Sequence, residues 1–118
     1  MSIYIASKTK YADQWRFLRS VGWPIISTWI NEAEQGQTND FDDLWNRCIH
    51  EAATCEVLLI YKMPQDTLKG AWIELGAALA SGKPRILAVG IEECTIAKLS
   101  KIEHFPTVMD ALLTTGYK

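Results

Sequence analysis

The sequence predicts a three-layer α/β/α fold with a mostly parallel five-stranded sheet in the flavodoxin-like order 2-1-3-4-5. Three observations carry this. Short β-rich runs alternate with segments of helical period, an alternation that gives right-handed crossovers and helices on both sheet faces. Glu56–Tyr61 (Glu-Val-Leu-Leu-Ile-Tyr) is nearly continuous in apolar residues, as expected of a strand buried on both faces. Gly and Pro fall between the runs, where chain reversals belong.

The elements follow in order. Ile3–Ser7 is short and apolar and reads as the first strand. Tyr11, Trp15 and Leu18 recur at helical spacing, so a helix is expected over Tyr11–Val21, stopped by Gly22 and Pro24. Pro24–Trp29 reads as the second strand and Asn31–Asn39 as a polar loop. In the next helix Phe41, Leu44, Trp45, Cys48, Ile49 and Ala52 form one stripe, with Asn39 or Asp40 as cap and Asp42 and Asp43 in the positive first turn. Glu56–Tyr61 is the third strand. Pro64–Leu68 is a loop, and Lys69–Ser81 a helix ended by Gly82. Pro84–Gly90 is the fourth strand, residues 91–101 a weak helix, and His104-Phe105 a very short fifth strand. Thr107-x-x-Asp110 resembles a capping box for a last helix through Leu113.

Composition narrows the function classes. The 118 residues suit one domain, 1–118. Apolar residues make up 48% and charged residues 22%, with net charge −2, so a core can form and disorder is not expected. Lys and Arg are scattered singly, which speaks against a nucleic-acid partner. No apolar run approaches the roughly 20 residues that span a bilayer, and Met1-Ser2-Ile3-Tyr4 has no signal-peptide character. Cys48, Cys55 and Cys94 offer neither a disulfide framework nor zinc spacing. A cytoplasmic protein without metal or cofactor is expected. Phosphate-binding G-x-G-x-x-G and Walker loops are absent.

In this topology ligands bind beyond the carboxyl ends of the strands where the order reverses. That places the loops Ser7–Lys10 and Met63–Gly70 side by side. The helix beginning there is unusual: in Ala71–Ala80 only Glu74 is polar. One side, centred on Trp72, Leu75, Gly76 and Leu79, is expected on the sheet. The small residues Gly70, Ala77, Ala78 and Ser81 invite another helix, from a second subunit, so a homodimer or higher homo-oligomer is expected. Glu74 points to that small side. Burial raises its pKa and the helix N-terminus lowers it. Two readings stay open. Glu74 is a poorly solvated nucleophile, or it is a solvent-facing glutamate stabilised by the helix dipole.

The segment Leu68–Pro84 (LKGAWIELGAALASGKP) resembles the signature of nucleoside 2-deoxyribosyltransferase-like proteins: a small-residue helix start, Glu-(apolar)-Gly-x-Ala, and a Gly-Lys-Pro turn. Ile3–Ser7, the Trp15-Arg16-x-Leu18 helix and Ser27-x-Trp29-Ile30 are also similar. The resemblance implies that Glu74 attacks the anomeric carbon of a 2-deoxynucleoside, forming a glycosyl ester that a base or water then displaces. It implies an assisting aspartate shortly before the glutamate, where the nearest acid here is Asp66. It implies a second acidic position supplied by Asp43 or, second, Asp40.

Other candidates each have an ordinary alternative. Ser7 can bind a sugar or phosphate or simply end a strand. Lys8, Lys10 and Lys69 can meet a phosphate or be solvated. Gly70 can expose backbone N–H groups to a ligand or serve turn geometry. Trp29 can stack on a nucleobase or fill the core. His50 and His104 are discounted as catalysts. The partner expected is thus a nucleoside or nucleotide, handled by an enzyme of N-glycosidic bonds. The alternative is a non-catalytic nucleotide-binding module on the same fold.

Overall fold

The computed structural model describes residues 1–32 and 40–117. Its sheet has four parallel strands, β1 (Ile3–Ala6), β2 (Val57–Tyr61), β3 (Arg85–Val89) and β4 (Ile102–His104), in the order β1-β2-β3-β4. Ile3 pairs with Val57, Val57 with Arg85 and Ile86 with Ile102. Helices α1 (Ala12–Ser20), α2 (Phe41–Thr54), α3 (Gly70–Ser81) and α4 (Val108–Thr114) connect or follow them. The side chains of β1, of Val57–Ile60 and of Ile86–Val89 are all buried, the expected signature of strands covered on both faces.

The five-stranded expectation is corrected at its second strand. Pro24–Trp29 contributes one bridge, Ile25 to Ile3, and then a 3-10 turn over Thr28–Asn31. The physical reason lies in side chains. Ile3 N–H donates to Pro24 O and Ile26 N–H to Ile3 O, as in a ladder. Further along, Ile5 N–H donates to Ser27 Oγ at 2.7 Å, and the Trp29 indole N–H donates to Ile5 O at 2.9 Å. Two side chains thus complete the pairing of β1 where backbone would otherwise do so. With that segment counted as a residual strand, the spatial order is the expected one. The weak helix expected over 91–101 reduces to a 3-10 turn at Thr95–Lys98, and the last strand has three residues. The expected loop Asn31–Asn39 lies mostly outside the described residues.

The ends of the helices follow their capping residues. Asp40 Oδ1 accepts from Asp43 N at 2.9 Å and starts α2; Thr107 Oγ1 accepts from Asp110 N at 3.1 Å and starts α4. Among the described residues no helix is long and apolar enough to cross a membrane.

Helices α2 and α3 share one sheet face and make the most extensive helix pairing in the fold. The face of α3 that is buried is Ala71, Glu74, Leu75 and Ala78, and Gly76 is exposed. The expectation that Gly76 faces the sheet is therefore overturned. Helix α2 of the same chain packs against α3, with Trp45 meeting Gly70. The α2 stripe is likewise only partly covered: Cys48 and Ala52 are buried, while Phe41, Trp45 and Ile49 form an outward ridge.

Candidate active site

A cavity of about 330 Å³ opens at the carboxyl ends of β1 and β2, between the first turns of α2 and α3. Ser7, Lys8, Trp29, Trp45, Gly70 and Glu74 are among its walls. Ser7 and Lys8 come from the loop after β1, and Gly70 and Glu74 from α3. The loops predicted to adjoin do so, braced by Lys8 Nζ donating to Thr67 O at 3.3 Å.

Glu74 is 7% exposed. Burial raises its pKa from the ordinary 4.5 to about 8; the Tyr4 hydroxyl nearby opposes this and the charge of Glu51 adds to it. Burial is the dominant cause, and it leaves the carboxyl largely neutral at pH 7. Beneath it, Tyr4 of β1 is fully buried. Its hydroxyl lies near Glu74 and Cys48 yet has no hydrogen bond of ordinary geometry. That orphaned hydroxyl is costly, by roughly 1–3 kcal/mol for a neutral group, unless a carboxylate, water or ligand turns toward it. Cys48 is also buried in the cavity wall, and burial pushes its thiol up to about 11, which keeps it protonated and a poor nucleophile.

Trp29 and Trp45 give the cavity aromatic walls. Trp29 is held by its indole bond to Ile5 O. The outer edge of the Trp45 ring meets Gly70, where an added Cβ would stand 2.9 Å from Cη2. A side chain at position 70 would have to displace the Trp45 ring. Ser7 Oγ accepts from the Trp15 indole at 2.9 Å and donates to Lys8 O at 2.9 Å, which fixes its orientation at the cavity edge. Lys69 is exposed at the rim and supplies no side-chain cap to α3.

Three of the predicted acids stand elsewhere. The Asp66 side chain has no exposed surface and is turned away from the cavity into a latch. It accepts from Tyr11 Oη at 2.7 Å and Met63 N at 3.0 Å, and pairs with Lys10 Nζ at 2.9 Å. Burial raises its pKa, but Lys10, Tyr11 and the Met63 N–H together prevail and hold it at about 2. The latch ties the loop after β1 to the loop that carries Thr67, Leu68 and Lys69 to the cavity. Asp66→Asn is expected to cost about 2 kcal/mol at pH 7. The wild-type advantage is present above about pH 4 and fades as pH falls toward 2, because the folded carboxyl has the lower pKa. Thermal melts at pH 7 and pH 2.5 check this; a pH-independent difference would show that Asp66 is not the ionised centre of the latch. Asp43 is exposed and paired with Arg47 Nε at 2.8 Å, and Asp40 is the α2 cap.

Sequence reasoning missed Tyr4, Trp45, Cys48 and Glu32 as cavity neighbours. The first three carry signals of core packing, and only the meeting of three elements gives them another role. Glu32 sits in a polar stretch with no pattern at all. Among the described residues no group of three or more His, Cys, Asp or Glu is placed to hold a metal ion. A larger groove, about 930 Å³, lies on the opposite sheet face between α1 and α4; its acids, Asp13 and Glu92, are exposed.

No family model matches the chain, and no curated protein matches its sequence. Among solved structures, CMP N-glycosidase BcmB of Clostridium botulinum matches it with a TM-score of 0.57, covering 98% of each chain at 16% identity. The chain shares that protein's fold. The resemblance carried by the Glu74 segment and this neighbour therefore agree at the level of architecture.

Proposed function

We propose that the chain breaks the N-glycosidic bond of a 2-deoxynucleoside, or of its 5′-monophosphate, through a bond between Glu74 and the sugar. The observation that carries this reading is one carboxyl held out of water in a cavity at the switch point. The Leu68–Pro84 resemblance and the fold shared with an N-glycosidase support it. In the first step an ionised Glu74 oxygen attacks the anomeric carbon, the carbon–nitrogen bond breaks, and its electron pair leaves with the base, which takes up a proton from water. In the second, water or another base attacks from the opposite face and frees Glu74, the logic of retaining glycosidases. Only ionised Glu74 can attack, so the rate should rise with pH toward a plateau above about 8. Trp29 and Trp45 offer π-faces to the base.

The test is to incubate the protein with deoxynucleosides and their monophosphates from pH 6 to pH 9, with and without a free acceptor base, and to follow free and exchanged base by chromatography. Release without exchange identifies a hydrolase, and exchange a transferase. Neither reaction with any substrate across that range overturns the proposal. A second reading is a nucleotide-binding module without turnover. Neutral Glu74 below pH 8 favours it, since a protonated carboxyl donates a hydrogen bond and cannot attack. Nucleotide binding with no base release would identify it.

A further inference from the structure

Glu32 stands in the cavity wall, and one of its two carboxylate oxygens is spoken for. Oε1 pairs with Arg47 Nη2 at 2.8 Å. Arg47 is itself fixed twice more, to Asp43 Oδ2 through Nε at 2.8 Å and to Thr28 Oγ1 through Nη1 at 2.7 Å. Thr28 in turn donates its N–H and its hydroxyl to Glu51, at 3.1 and 2.9 Å. The guanidinium thus holds Glu32 as a charged group in a defined place. The other oxygen, Oε2, is shielded from solvent and has no partner.

An ionised acceptor left without a donor costs more than a neutral one, and a site built around it rejects ligands that bring no donor. With Oε1 held by Arg47, Oε2 is the atom of Glu32 left to accept from a ligand pressed on this wall. We propose that Glu32 reads the edge of the nucleobase and selects bases bearing an exocyclic amino group over their oxo counterparts. This rests on the reading of the cavity as a nucleoside site. The chemistry is specific. The amino group of cytosine or adenine offers N–H to Oε2. Replacing it with an oxo group, as in uracil or hypoxanthine, removes the donor from that position and sets lone pairs against the anion there, leaving only the ring N–H beside it. Each of the three Arg47 nitrogens already donates to Asp43, Thr28 or Glu32, which aims the guanidinium at its protein partners. The positive groups of the cavity, Lys8 and Lys69, belong to the loops on the α3 side.

The experiment measures dissociation constants by calorimetry for two matched pairs, 2′-deoxycytidine against 2′-deoxyuridine and 2′-deoxyadenosine against 2′-deoxyinosine. The Glu74→Gln protein is used so that bound nucleoside stays whole. The amino member of each pair is expected to bind about ten- to a hundredfold more tightly, the range of one hydrogen bond to a charged group. Adding Glu32→Gln, whose amide both donates and accepts, is expected to bring each pair within about threefold. The comparison inside each pair cancels any general loosening of the cavity, and the preference itself is read with Glu32 intact. Equal binding within the pairs, or a preference that survives Glu32→Gln, overturns the inference while leaving base release by the wild-type protein as the separate test of Glu74. Binding of no nucleoside overturns both.

Discussion

Glu74→Gln is expected to abolish base release, by roughly a thousandfold or more, and at the same time to make the protein more stable above neutral pH. The first effect follows from chemistry, since an amide cannot form the glycosyl bond. The second follows from linkage. The folded carboxyl has a pKa of about 8 against an ordinary 4.5, so the native state holds a proton that the unfolded chain releases. Its contribution is complete below about pH 4.5 and is lost as pH rises to about 8, each unit being worth about 1.4 kcal/mol. Wild type should therefore weaken by a few kcal/mol between pH 5 and pH 8.5, and the glutamine variant should not. Urea unfolding at those two pH values checks this. Parallel stability curves would show that Glu74 ionises freely in water, and the nucleophile would lose its physical basis. Loss of activity with the stability crossover separates a buried reactive acid from a glutamate that merely packs.

Gly90→Ala is expected to be the most damaging single-methyl change in the described residues. Gly90 follows β3 with φ at +88°, and an added Cβ would stand 1.9 Å from the carbonyl oxygen of Lys62. Neither strand end can yield easily, because Lys62 N–H donates to Val89 O at 2.9 Å. Relief requires parting β2 from β3 where the loop to the cavity begins. A cost of about 3–5 kcal/mol, or about 10 °C or more in Tm, is the expected outcome. Gly76→Ala is the control. It lies in α3 with nothing within 4 Å of the added atom, so helix propensity predicts a gain of up to about 1 kcal/mol. If Gly90→Ala melts within two degrees of wild type, the close approach of these strands is wrong.

These two residues also mark how far the sequence speaks. The alternation of elements, the β2 run and the isolated Glu74 are period and composition effects, and they place the sheet, the switch point and the candidate acid. Gly82 and Pro84 locate the turn after α3 to within a residue. What the pattern could not convey is which of two apolar surfaces a helix buries. In α3 both sides are apolar, so nothing in Ala71–Ala80 distinguishes the side met by α2 from the side left open around Ile73 and Gly76. Nor could it convey that Ser27 and Trp29 would stand in for backbone beside β1, because a strand-like run and a side-chain substitute share the same β-rich composition. Asp66 illustrates the same limit in the loops. The family resemblance points to it as a site residue, and only the proximity of Lys10 and Tyr11, more than fifty positions earlier, shows the latch that holds it.

The lacing of β1 by Ser27 and Trp29 has a consequence for the life of the protein in a crowded solution. A bare outer strand is a template on which a neighbour's chain can add and begin a fibril. Here the amide and carbonyl of Ile5 are occupied by a hydroxyl and an indole, groups that cannot pass the pairing on to another molecule. Conversion of Ser27 or Trp29 to alanine would thus uncover a growth point, and turbidity on standing would report it before any loss of fold.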